Sequence, residues 1–257
     1  MSVQIRDFLL SLEPFASLDW AEDWDNGGVS VRSRSGEIHR VAVALDPTVE
    51  AVRQAADQGC DCLLTHHPLI FSPLRFLDPE LPTAAALYEL VERGMTAVSC
   101  HTSWDNSPVG TNVSLVQACT QNSPRPLLLG KGWGTGAVVS FQSSSPLAVA
   151  EMLKDRWGLT WARVYGASRS VSSMALCGGS GGELWREALN TGADLYVTAD
   201  MKYHDLQDAV LSGLAVIVVD HGEMEWASMD SLRGCVRQAT GLDVILLEKP
   251  DMGGCVL

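Results

Sequence analysis

The sequence predicts an α/β protein of two α/β lobes with mainly parallel sheets, and three observations point there. Short apolar runs alternate with amphipathic helical segments through the first hundred residues. The helical segments open on Pro or hydroxyl residues and close on glycine, as at Thr48 and Gly59. A Pro- and Gly-rich stretch, residues 121–136, then interrupts the alternation before it resumes. A β-α-β-α-β order implies parallel strands joined by right-handed crossovers. The lobes are expected at residues 1–125 and 126–257, the second contributing His221 and Glu225 to a shared site.

In chain order, Ile5, Phe8, Leu9 and Leu12 share a helical face, with Ser2 as N-cap and Pro14 as stop. Asp25-Asn26-Gly27-Gly28 is a turn leading into a strand at Val29–Val31; Trp20 and Trp24 before it are expected to pack. Val41, Val43 and Leu45 form a strand, and Asp46-Pro47-Thr48 opens a helix bearing Val49, Val52 and Ala56. The strand Cys62–Thr65 runs into His66 and His67, where Pro68, lacking an N–H, ends any ladder. A helix through Leu87, Leu90 and Val91 closes at Gly94, and the strand Met95–Cys100 ends at His101. In the second lobe a strand at Val138–Phe141 precedes a helix opened by Ser145-Pro146. Further strands are expected near Trp161–Tyr165, Val171–Cys177, Asp194–Thr198, Ala215–Val219 and Val244–Leu247, with a helix through Leu232.

Composition narrows the function. The chain has 257 residues, 46% apolar and 19% charged, enough for a real core. A net charge of −13 argues against binding a phosphate backbone or an anionic membrane. No run reaches the roughly 18 apolar residues of a membrane span, and the N-terminus has no secretory pattern, so a cytoplasmic location is expected. The seven cysteines (Cys60, Cys62, Cys100, Cys119, Cys177, Cys235 and Cys255) are odd in number and dispersed, and read as buried thiols rather than a zinc site.

The histidines carry the chemistry. Five of the six, His66, His67, His101, His204 and His221, fall at or just after a strand end, where α/β sheets collect ligands. A lone His-His pair would read as a surface coincidence; this distribution does not. His101 and Asp105 are four apart, as are His221 and Glu225, which on a helix places each pair on one face. The mixed nitrogen and oxygen set suits zinc, iron, manganese, cobalt or nickel rather than calcium. It exceeds what one catalytic zinc needs, so two divalent ions per chain, bridged by Glu225, are expected. The run Gly178–Gly182 lacks the Lys-Ser/Thr ending of a phosphate loop and reads as a tight strand-to-helix turn.

Leu64-Thr65-His66-His67-Pro68-Leu69-Ile70-Phe71, His101-Thr102 through Asp105 with Pro108 and Gly110, Thr198–His204, and His221 with Glu225 resemble the motifs of the Nif-three-like family of dinuclear metal-centre proteins. Its members are often labelled GTP cyclohydrolase I type 2 homologues. Trp20–Asn26 and Cys177–Gly181 also look like family features, so the resemblance spans nearly the whole chain. It implies a Nif-three-like fold, a toroidal homohexamer, and metal ligation by His66, His67, Asp105, His221 and Glu225. His101 and His204 match polar positions near that site and are candidate catalytic proton carriers. The chain departs from the family pattern in Asp220 and Ala199, both for glycine, and in Trp104 for a smaller residue.

The expected function is a metal-dependent hydrolase in which an activated hydroxide attacks a small nucleotide-like substrate. For GTP, attack at purine C8 would release formate. The net acidity, with only Arg75, Arg163 and Lys202 as candidate phosphate contacts, counts against GTP. The alternatives are a non-enzymatic metal-binding or assembly protein and a metal-dependent phosphohydrolase, since ligand motifs do not define a reaction.

Overall fold

The computed structural model describes residues 2–166 and 168–249. Cys255 lies outside these. The chain forms two compact units. The first takes the residues up to Trp104 together with the segment from Met229, and the second takes Asp105–Ser228.

The first unit begins with β1 (Val3–Gln4) and α1 (Ile5–Ala16). Gln4 rather than Ser2 is the N-cap, because Val3 and Gln4 are drawn into pairing with Ile38 and Glu37. Pro14 does not stop this helix: it sits in the last turn, where only one hydrogen bond is lost. Next come β2 (Gly28–Val31), β3 (Glu37–Ile38), β4 (Arg40–Ala44), α2 (Val49–Asp57), β5 (Cys62–Thr65), α3 (Pro82–Glu92) and β6 (Thr96–Ser99). The hydroxyl of Thr48 caps α2 by accepting from Ala51 N at 3.1 Å. The single turn α4 (Thr102–Asp105) follows His101.

The second unit contains α5 (Thr111–Cys119), β7 (Arg125–Leu128), β8 (Thr135–Ser144), α6 (Pro146–Trp157), β9 (Ala162–Tyr165), β10 (Val171–Leu176) and α7 (Trp185–Asn190). It continues through β11 (Leu195–Thr198), α8 (Tyr203–Leu211), β12 (Ala215–Val219) and α9 (His221–Trp226). The chain then returns to the first unit with α10 (Met229–Thr240) and β13 (Asp243–Leu246). The division thus falls at Trp104/Asp105 and Ser228/Met229 rather than at residue 125. The segment 121–136 instead carries β7 and the turn into β8, inside the second unit.

The first sheet, ordered β13-β4-β5-β6-β2, is parallel except for β2. The second, β7-β8-β10-β11-β12-β9, is mixed: only β10, β11 and β12 run parallel. The expectation of mainly parallel strands therefore holds in the first unit only. The physical reason is connection length, since a short turn such as that between β7 and β8 can join only antiparallel neighbours. Along β10 the buried residues alternate, Met174 and Leu176 joining a core with Leu153, Trp157 and Ile217, while Ala175 joins one with Trp185, Tyr196 and Val216. In the first unit Val52, Leu63 and Leu90 close the core between sheet and helices. Each such side chain contributes roughly 1.5–3 kcal/mol on burial. Among the described residues no helix is long and apolar enough to cross a membrane.

Candidate metal centre

The first unit presents three imidazoles at adjacent strand ends. Beyond β5, His66 N and His67 N still donate to Ala44 O and Leu45 O, at 3.2 and 3.0 Å, so the pair leaves the sheet with its backbone tied to the neighbouring strand. Cys100 N donates to Thr65 O at 2.9 Å, and His101 follows in the same way beyond β6. The ring centroids of His66 and His67 are 4.9 Å apart, and His101 lies 5.2 and 5.7 Å from them. One ligand atom from each lies within 4.8 Å of the others, a spacing that one ion can span.

Each ring is oriented through Nδ1. That of His66 donates to Cys100 O (3.2 Å), that of His67 to Asp46 Oδ1 (2.7 Å) and that of His101 to Asp25 Oδ1 (2.8 Å). An acceptor on Nδ1 fixes the proton there and leaves Nε2 as the basic nitrogen, the arrangement metal-bound histidines show. Asp25 also accepts from Thr102 N at 3.0 Å and Thr102 Oγ1 at 2.5 Å. Burial would raise its pKa, but the bonds and charge of His101 and the Thr102 bonds outweigh that and hold it at about 2. Trp24 packs at the surface rather than in the core: it is 63% exposed, with its ring edge-on to Phe71 and His101.

The second unit gathers a different set. Asp220, at the end of β12, caps α9 by accepting from Glu223 N at 2.9 Å. The helix that follows puts His221 Nε2 3.1 Å from the buried Glu225 Oε1, one turn on. His221 Nδ1 donates to Asp200 Oδ2 at 2.6 Å. Burial alone would lower the His221 pKa, but the bond and charge of Glu225, then those of Asp200, raise it to about 9. The neighbouring Glu223 is occupied structurally, accepting from Thr160 N and Oγ1 at 2.6 and 3.0 Å.

Asp105 belongs to the same neighbourhood. Asn112 donates to Asp105 O at 3.1 Å and accepts from Gly178 N at 2.9 Å, tying the aspartate's backbone to the glycine run. After burial itself, the charges of Asp105 and Glu225 are what push the Cys177 thiol up to about 12. Gly179, at φ +64°, lies where a Cβ would strike the Glu225 carboxylate. This glycine run is therefore a close-packed floor beneath the carboxylate and a strand-to-helix turn. His204 lies exposed on α8 with its ring edge-on to Tyr203, 5.2 Å between centroids.

A family model described as Duf34/NIF3 (NGG1p interacting factor 3) matches residues 3–251. The chain belongs to the Duf34/NIF3 family. It is similar to a GTP cyclohydrolase 1 type 2 homolog of Clostridium perfringens, 27% identical over 249 residues, 94% of each chain. A protein of the same name from Lactococcus lactis is 30% identical over 223 residues, 85% of this chain and 86% of the relative. A Bacillus cereus protein related to NIF3 shares the fold at TM-score 0.92 and 17% identity, covering 99% of both chains.

The clustered side chains of this NIF3-family protein could offer a metal ion nitrogen and oxygen atoms. The thiols are unsuited to ligation as they stand: burial pushes Cys60 up to about 11, Cys100 to about 12 and Cys62 well above its usual value. Imidazole with carboxylate fits a borderline divalent ion such as zinc, manganese or iron. The orienting carboxylates Asp25, Asp46 and Asp200 were not singled out as site residues from sequence. A signal existed: Asp46 and Asp200 lie two residues beyond a strand, as His67 and His101 do.

Proposed function

We propose that this protein holds two divalent metal ions with His66, His67, Asp105, His221 and Glu225 and hydrolyses a nucleotide-like substrate. The observation that carries this reading is the shared orientation of four imidazoles, each with Nδ1 held by an oxygen acceptor. Such ions, when bound, lower the pKa of a coordinated water and stabilise charge on the attacked group. His66, His67 and His221 supply nitrogen, and Asp105 and Glu225 supply charge. Glu225, buried and already beside an imidazole, is assigned the bridge.

The two sets are taken to serve one centre because His101 and Asp105 are only four residues apart in the sequence. His101 is assigned the proton relay: Asp25 fixes its Nδ1–H, so a proton is taken up or released at Nε2. His204 is the second candidate. The substrate class follows the printed name of the relatives, GTP cyclohydrolase 1 type 2 homolog. The six described cysteines are free thiols, four of them buried and Cys119 and Cys235 partly so, which accords with a cytoplasmic protein, and the hexamer implied by family resemblance is read directly by sedimentation equilibrium.

The test is elemental analysis of untagged protein together with product analysis on GTP. About two equivalents of metal per chain and formate release are expected, both lost in His67→Ala and Glu225→Ala variants that remain folded by circular dichroism. Full turnover in both variants would overturn the site; phosphate release instead of formate would make the protein a phosphohydrolase.

A further inference from the structure

The carboxyl ends of β11 and β12 open onto a cavity of about 500 Å³ with Trp161, Ala199, Asp200, Lys202 and Asp220 among its walls and His221 on one side. Its position is the one at which α/β sheets bind ligands, and its volume suits a small molecule. The half-buried Trp161 ring lines the cavity, with the Arg163 guanidinium over one face at 5.3 Å from its centroid. Asp220 spends Oδ1 on capping α9, while its Oδ2 accepts no hydrogen bond among the described residues. The two cationic side chains on the walls are both already paired, Lys202 with Glu183 at 2.9 Å and His221 with Asp200 at 2.6 Å and Glu225 at 3.1 Å. With both cations already paired and the Asp220 Oδ2 facing in as an acceptor, the interior is a poor place for phosphate and a good one for N–H donors.

We infer that this cavity is the ring-binding subsite. It takes a planar nitrogen heterocycle with N–H donors on its edge, stacked on Trp161, with Asp220 accepting from that edge. An anionic tail then faces outward, past Lys202. The inference rests on the proposed role of His221 as a ligand and on a nucleotide-like substrate.

Calorimetric titration of the metal-loaded protein with guanosine tests it, with ribose 5-phosphate as the ring-free probe. Trp161→Ala and Asp220→Asn are expected to weaken guanosine binding by about tenfold or more, a loss in the range of one stacked base. Trp161→Phe should retain binding within about threefold, since a stacking face remains. Asparagine preserves the helix cap, so Asp220→Asn alters only the acceptor. Ribose 5-phosphate affinity and metal content should be unchanged in all three. Equal guanosine affinity in wild type, Trp161→Ala and Asp220→Asn, or no guanosine binding by the wild type at millimolar concentration, would overturn the subsite. If turnover persists in that case, the hydrolase reading stands alone. Guanosine binding that depends on both residues, in a protein with no turnover, would leave the subsite standing and remove the hydrolase.

Discussion

In the first unit His66, His67 and His101 stand close together, each oriented by a backbone carbonyl or an aspartate. In the second, His221 is held on both nitrogens by carboxylates, Asp200 and Glu225, which together raise its pKa to about 9 against the opposing effect of burial. The first set is a preformed group of imidazoles whose rings are already oriented through Nδ1. The second is an ion pair that must give up a proton before His221 can ligate. A metal centre drawing on both would thus owe its geometry to the first and much of its pH dependence to the second.

The largest expected effect breaks either set outright. Glu225→Ala or His67→Ala should abolish metal retention and turnover, measured by elemental analysis and product assay. Removing an orienting carboxylate should cost less: Asp46→Ala and Asp200→Ala are each expected to weaken metal affinity by roughly 10–100-fold in chelator competition.

These two variants also sharpen the comparison through pH. Because the His221 proton competes with metal below about pH 9, affinity should rise with pH by up to about tenfold per unit and flatten above that value. Asp200→Ala should shift that plateau to lower pH, whereas Asp46→Ala should leave it in place. The sign for metal-free folding is opposite. A raised histidine pKa contributes stability that is complete below its unfolded value of 6.5 and lost as pH rises through about 9.

Asp25 tests the first unit in acid. Its side chain is fully buried and its pKa is held at about 2 against 3.8, worth about 2 kcal/mol at neutral pH. That stability is present above pH 3.8 and lost as pH falls through about 2, and Asp25→Asn should remove it, as urea unfolding at pH 7 and pH 3 would read. The smallest effect is expected from Cys62→Ala, which should leave metal content unchanged because the thiol is buried and protonated. Loss of metal in that variant would show that the ligand set is incomplete.

Much of the scaffold was legible in the sequence. The cap at Thr48, the Ser145-Pro146 start, the strand running into His66 and the four-residue spacing of His221 and Glu225 are local features, and each appears as expected. Helix α5 was not legible, because Thr111 through Val116 are all buried and the segment carries no amphipathic stripe. Strand β7 was hidden by Pro126, which reads as a breaker yet is tolerated in an edge strand.

The sequence by itself determined the α/β class and the candidate ligands, because periodicity, caps and His/Asp/Glu spacing act over a few residues. Only the tertiary structure decided that β13 pairs with β4, returning the chain's last described strand to the first unit. It also distinguished Glu225, beside His221, from Glu223, spent on Thr160, and revealed Asp25, Asp46 and Asp200 as the acceptors that set each ring. These choices join residues distant in the chain, and local propensity contains no term for such contacts.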